Sequence, residues 1–200
     1  MKATMNIRDY FSNLKLCLDA VEVRDEKQNL LAPDPGFQRA IEWIAAAGKK
    51  HAKVIFVGNG GSAAIASHQA VDLWKNGGIR AIAFNDASLL TCVGNDYSYP
   101  EIFEKPVAMF ADADDVLIAI SSSGRSSNIL KAAQKAKELG CRVITMSGFK
   151  SDNPLRQAGH VNFYIPSDSY GFVEIAHLTL CHYLTDHFVS AAQKFRKSGD

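Results

Sequence analysis

The sequence predicts a doubly wound α/β fold, in which a five-stranded parallel sheet carries helices on both faces and follows an N-terminal helical arm. Three observations predict it. Five short apolar, β-rich runs recur between residues 53 and 166. Helix-compatible stretches separate them. Loops rich in glycine or serine stand directly after the first and third runs. Strands alternating with helices build a parallel sheet buried on both faces. In such sheets ligands bind beyond the carboxyl ends of the strands, near the point where strand order reverses.

The elements follow in order. Residues 4–24 place Tyr10, Phe11, Leu14, Leu16, Cys17, Leu18, Val21 and Val23 at mostly helical spacing, which predicts an amphipathic helix. LAPDPGF (31–37) predicts a turn, and 36–48 a second helix ending near Gly48. Strands are expected at 53–58, 80–84, 115–120, 141–148 and 161–166. A helix-compatible stretch follows the first strand to about Lys75, and helices are expected at 87–93, 99–110, 126–139 and 171–197. The chain thus reads as one domain over 1–200, with helices in 1–50 and the α/β core in 51–200. Its 200 residues suit one domain with a full hydrophobic core.

Composition excludes several functions. The net charge is +1, from 22 basic and 21 acidic side chains, so no electrostatic footprint for nucleic acid or an anionic membrane exists. No run reaches the roughly 20 apolar residues that span a bilayer. The first residues lack a signal peptide's apolar stretch and cleavage site. Cys17, Cys92, Cys141 and Cys181 form no CxxC pair and are expected as buried free thiols in a reducing compartment. A cytoplasmic location is the expectation.

Two loops carry the binding signal. Gly58-Asn59-Gly60-Gly61-Ser62-Ala63 follows the first strand and opens a helix. Its glycines permit a sharp turn and close approach to a ligand, and N–H groups at the helix start favour an anion. The same residues also describe a tight turn capped by Ser62. The spacing is neither GxGxxG nor a Walker loop, so no nucleotide cofactor is expected. Ser121-Ser122-Ser123-Gly124-Arg125-Ser126-Ser127-Asn128 follows the third strand. One helix cap needs one hydroxyl, whereas this loop has five, which points to phosphate.

Two further pairs could move protons or hold a metal. His68 and Asp72 lie four apart on the helix after the first loop and share a face. Glu174 and His182 lie eight apart on the last helix, about 80° apart around its axis. Two carboxylates and two imidazoles suit both acid–base chemistry and zinc. Equally, His68 and Asp72 fit a surface ion pair, Glu174 a helix N-terminus, and His182 a core position.

Together GNGGSA and SSSGRS, in this order and separation, resemble the SIS-domain family, most closely its single-domain phosphoheptose isomerases. The resemblance implies a phosphorylated sugar held by Asn59, Gly60, Gly61, Ser62, Ser121, Ser122, Ser123 and Ser126. It aligns Asn95 and Asp96 with a substrate-contacting segment. It implies Asp72 as base and His182 as acid, with His68 and Glu174 as metal ligands or orienting groups, Glu174 also among the substrate-binding residues, and all four as zinc ligands in some members. It also implies a homotetramer with sites at subunit interfaces. Asp72 and Glu174 stand where the family carries glutamate and glutamine, and Phe172-Val173 where a basic residue precedes that glutamine. Arg125 stands where asparagine is common, either on the phosphate or toward a neighbouring subunit. The rival expectation is a non-catalytic relative that binds a replication initiator protein. That branch lacks the glutamate and histidine whose places Asp72 and His182 fill. A phosphosugar sensor ranks last, because no DNA-binding segment is attached.

Overall fold

The computed structural model describes residues 5–197, with side chains described through residue 190. Its strands are β1 (Glu22–Asp25), β2 (Leu30–Leu31), β3 (Val54–Gly58), β4 (Ala81–Ala83), β5 (Val116–Ser121), β6 (Arg142–Ser147) and β7 (Val161–Tyr164). Its helices are α1 (Ile7–Asp19), α2 (Pro33–Lys49), α3 (Gly61–Lys75), α4 (Ala87–Asp96), α5 (Glu104–Phe110), α6 (Ser127–Glu138) and α7 (Tyr170–Lys197). The sheet order is β2-β1-β7-β6-β5-β3-β4. The five expected strands are all present and mutually parallel.

Two further strands correct the five-stranded expectation. β1 pairs antiparallel with β7, and β2 with β1, so the sheet is mixed and seven-stranded. Here the expected helix over 4–24 stops at Asp19, with residue 4 outside the described residues. Val21 and Val23 fit a helical period, but Val23 is a buried strand residue. The hairpin turns on Asp25, whose carboxylate accepts from the backbone N–H groups of Lys27 and Asn29, each at 2.9 Å. The expected turn over 31–37 also shrinks. Pro33 begins α2, in the first turn where proline's missing N–H does no harm.

Along β3, β5 and β6 alternate residues face opposite layers. Val54, Phe56, Ile118, Ile120, Ile144 and Met146 pack under α2, α3 and α7. Ile55, Val57, Leu117, Ala119 and Val143 pack under α5 and α6. Both faces are therefore covered, as the near-continuous apolar strands require. Of the cysteines, Cys141 and Cys181 are buried free thiols as expected, whereas Cys92 is exposed on α4 and Cys17 half-buried on α1. No described helix is long and apolar enough to cross a membrane.

Candidate active site

Both candidate loops leave the sheet where its strand order reverses. The chain goes from β3 outward to β4, then returns to β5 on the other side of β3. Gly58 at the end of β3 lies beside Ile120 near the end of β5, so the two loops emerge as neighbours. Gly58 cannot carry a side chain, since an added Cβ would sit 2.5 Å from the Ser62 carbonyl oxygen. Neither N-cap residue, Gly60 or Ser126, caps its helix through a side chain. First-turn N–H groups of α3 and α6 therefore border the space between the loops.

That space is a pocket lined by Asn59, Ser62, Ser121, Ser122, Ser123, Ser126, Tyr170 and Glu174. The Ser122 hydroxyl is buried and has no protein partner, which a ligand oxygen would satisfy. Gly60 and Gly61 form the turn into α3, Gly60 with φ 54°. Glu174 stands directly on Gly61: a Cβ there would lie 2.5 Å from its carboxylate.

Asn59 and three side chains whose role the sequence did not announce, Asn128, Tyr99 and Asn153, hold this pocket in shape. Asn59 and Asn128 exchange two amide hydrogen bonds of 2.9 Å, clasping one loop to the other. Tyr99 donates its hydroxyl to the Asn59 side chain at 3.2 Å. Asn153, fully buried, donates to the carbonyls of Gly148 and Lys150 and fills the space that a side chain at Gly124 would need. The partners are 69 residues apart in the Asn59–Asn128 pair, so no local pattern announces them. Arg125 does not reach into the pocket; its guanidinium pairs with exposed Asp152 at 2.8 Å.

A second cluster lies further along the same helices. Ligand atoms of His68, Asp72 and His182 all fall within 4.8 Å of one another. His68 Nε2 is 3.3 Å from an Asp72 carboxylate oxygen, and the His68 and His182 rings meet edge to face at 5.3 Å. Helices α3 and α7 bring them together by running side by side in one direction. Glu174 meets Gly61, His182 meets His68, Thr185 donates to Gln69 at 2.8 Å, and Phe188 meets Gly77. All three residues come from one chain.

Glu174 is not in that cluster, against the expectation of four converging side chains. The physical reason is rise. Eight residues of helix turn the chain only about 80° but carry it roughly 12 Å along the axis. Glu174 therefore lines the serine pocket while His182 stands two turns beyond. Asn95 and Asp96, at the end of α4, are exposed and do not line the pocket within one chain. Asp96 instead accepts from the Asn95 amide at 2.9 Å. Hydrogen bonding to Asn95 and Cys92 lowers its pKa.

Two imidazoles and one carboxylate converging at a half-open surface are the donor set of a three-ligand zinc site, and these residues fit one. A serine-lined pocket and a His–Asp–His cluster thus share one pair of helices.

The chain as a whole resembles known proteins. A model of the SIS domain matches residues 9–148. The chain belongs to the SIS-domain family. It is 31% identical over 189 residues to the phosphoheptose isomerase of Syntrophotalea carbinolica, covering 92% of each chain. With that of Helicobacter hepaticus it shares 34% over 165 residues, covering 80% of this chain and 84% of the relative. The solved phosphoheptose isomerase of Neisseria gonorrhoeae superposes with a TM-score of 0.78 at 29% identity, over 91% of this chain and 97% of that one. By this kinship the SIS-domain chain is an enzyme of the isomerase class.

Proposed function

We propose that this SIS-domain protein is a phosphosugar aldose–ketose isomerase acting in the cytoplasm on a ketose of the sedoheptulose 7-phosphate type. The observation that carries the reading is the placement of two chemically distinct sites along the parallel helices α3 and α7. The serine pocket offers hydroxyls and helix N–H groups to a phosphate. His68 stands seven residues beyond Gly61, roughly 10 Å along α3. An open-chain sugar of six or seven carbons, with C–C bonds of about 1.5 Å, spans a comparable length between its phosphate and its carbonyl.

The chemistry moves protons between adjacent carbons. Asp72 removes a proton from C1 of the ketose while His182 protonates the C2 carbonyl oxygen, giving an enediol. Loss of the O1 proton and return of a proton to C2 then yields the aldose, with atoms and charge balanced. Were zinc bound, His68, Asp72 and His182 would hold it, and it would supply Lewis-acid polarisation of the carbonyl. The names of the relatives support an enzyme over the adaptor that binds a replication initiator.

The protein is proposed to work as a homotetramer with its sites at subunit interfaces. Helix α1 has no buried residue and exposes Ile7, Phe11 and Leu16, and Trp74 is exposed two residues after Asp72. Apolar surface of this extent calls for a partner. The test is direct. Purified protein given sedoheptulose 7-phosphate should form the aldose, with shorter phosphosugars turned over more slowly, and light scattering should show a tetramer. No turnover of any phosphosugar, with or without added zinc, would remove the isomerase reading.

A further inference from the structure

We propose that Tyr170, propped by Phe149, is the wall that reads the sugar rather than the phosphate. It forms an aromatic, specificity-determining platform at the edge of the serine pocket. The proposal rests on the phosphosugar reading and deepens it: the ligand is a phosphate ester whose carbon skeleton presents an apolar C–H face.

Tyr170 is the single aromatic residue in a lining otherwise made of hydroxyls, amide and carboxylate. It is the first residue of α7 and is 62% exposed, so the core makes little use of its ring. The ring meets Phe149 edge to face, with centroids 4.7 Å apart and planes at 84°. Phe149 is in turn strained. Its φ is 58°, in the left-handed region that a bulky side chain adopts only under constraint. The constraint is visible. Its N–H donates to the Ser167 carbonyl at 2.8 Å, and its own carbonyl accepts from the Tyr164 hydroxyl at 2.8 Å. The preceding residue, Gly148, donates its N–H to the Ser122 carbonyl of the phosphate loop at 3.0 Å. A strained aromatic residue thus stands behind Tyr170 and is fastened through Gly148 to the loop of the pocket that Tyr170 lines, where over-determined strain accompanies function.

The chemistry explains what such a wall adds. Serine hydroxyls and helix N–H groups bind any phosphate and do not distinguish the free ion from an ester. An aromatic face excludes water on one side and meets C–H groups, whose positive edges match the negative face of the ring. Glu174 lies four residues after Tyr170 on the same helical face and offers a carboxylate acceptor to sugar hydroxyls. Together the two recognise a polyol carrying a phosphate by its carbon skeleton and its O–H groups.

Calorimetric titration of the full-length protein with inorganic phosphate and with sedoheptulose 7-phosphate tests this. Tyr170→Ala should weaken binding of the sugar phosphate about tenfold while leaving inorganic phosphate within about twofold. Tyr170→Phe should retain wild-type affinity for both, which shows that the ring face is the reader. Phe149→Ala, which removes the prop, should lose affinity for the sugar phosphate alone, by less than Tyr170→Ala. In turnover the loss should fall on KM rather than kcat. If Tyr170→Ala keeps the wild-type preference for the sugar phosphate, or weakens both ligands equally, the proposal is overturned. A wild-type protein that binds both ligands alike would overturn the phosphosugar reading itself, before any variant is made.

Discussion

In the serine pocket, two amide hydrogen bonds join Asn59 to Asn128, Asn153 braces the carbonyls of Gly148 and Lys150, and the Gly148 N–H holds the Ser122 carbonyl. In the His68, Asp72, His182 cluster the 3.3 Å contact joins His68 to Asp72 within α3, His182 of α7 meets His68 only ring edge to face, and the His68 side chain is 54% exposed. The first site grows from the ends of central strands, whose backbone one chain positions completely. The second depends on side-chain rotamers at a half-open surface. A preformed anchor at one end and a yielding reaction centre at the other fit a division of labour. Under the proposed function the anchor would bind without rearrangement, and the centre would be completed when substrate, a metal ion or a second subunit covers it.

The largest expected effect tests this division. Asp72→Asn and His182→Ala should each lower turnover about 10²- to 10⁴-fold, because each removes a proton-transfer group. Calorimetric affinity for inorganic phosphate should stay at its wild-type value in both. A parallel loss of phosphate binding would mean that the two regions form one structural unit, and the comparison would break.

The next effects belong to the braced end. Gly124 has φ 61°, and a Cβ there would lie 1.9 Å from the Asn153 side-chain oxygen. Gly124→Ala should therefore destabilise the fold by about 1–3 kcal/mol through strain alone, and should also weaken phosphosugar binding. Ser121→Ala and Ser123→Ala remove single hydroxyls without moving the backbone. Each should weaken phosphosugar binding by about 1–3 kcal/mol with an unchanged melting temperature. Affinity that survives both serine substitutions would show that backbone N–H groups carry the anion alone.

The two regions also differ in how far the sequence revealed them. The parallel strands were legible because each is a short apolar run closed by turn residues, and both loops because glycine and serine crowd the strand ends. The cross-loop braces were not. Asn59 was expected on the ligand, but its clasp with Asn128, 69 residues away, was not, and Asn153 looks like an ordinary loop residue until the fold sets it against Gly124. The hairpin of β1 and β2 was hidden because Val21 and Val23 satisfy a helical period as well as an alternating one. What decides for the strand is tertiary: β1 pairs with β7, and Glu22 pairs with Arg156. Glu174 misled for a different reason, since its angle around α7 matches His182 but its height does not. Spacing on one helix was enough for His68 and Asp72, one turn apart, and insufficient for residues two turns apart.

The smallest expected effect sharpens the comparison from beneath the braced end. His177 lies on α7 between Glu174 and His182 and is wholly buried. Its Nε2 is 3.2 Å from the Ser147 carbonyl at the end of β6, and its Nδ1 has no partner. Burial pushes its pKa down from 6.5 to about 4, so the folded protein holds the ring neutral. Above the unfolded value of 6.5 neither state binds the proton, and the stability contribution is fully present. Between 6.5 and about 4 the unfolded chain binds a proton that the folded chain refuses, so stability falls as pH falls. The limiting slope is about 1.4 kcal/mol per pH unit. His160, whose pKa burial also lowers, contributes in the same sense. Ser147 accepts from Asn153 and precedes Gly148, so protonation of His177 acts on the strand end that braces the serine loop. Urea denaturation at pH 7 and pH 5.5 should show wild-type protein losing about 1 kcal/mol of stability to this group. His177→Leu should be less stable at pH 7 for want of the Ser147 hydrogen bond, yet should lose less on acidification, with His160 supplying what slope remains. An identical slope in His177→Leu would mean that acid enters the molecule elsewhere, and that the braced end is not its acid-sensitive one.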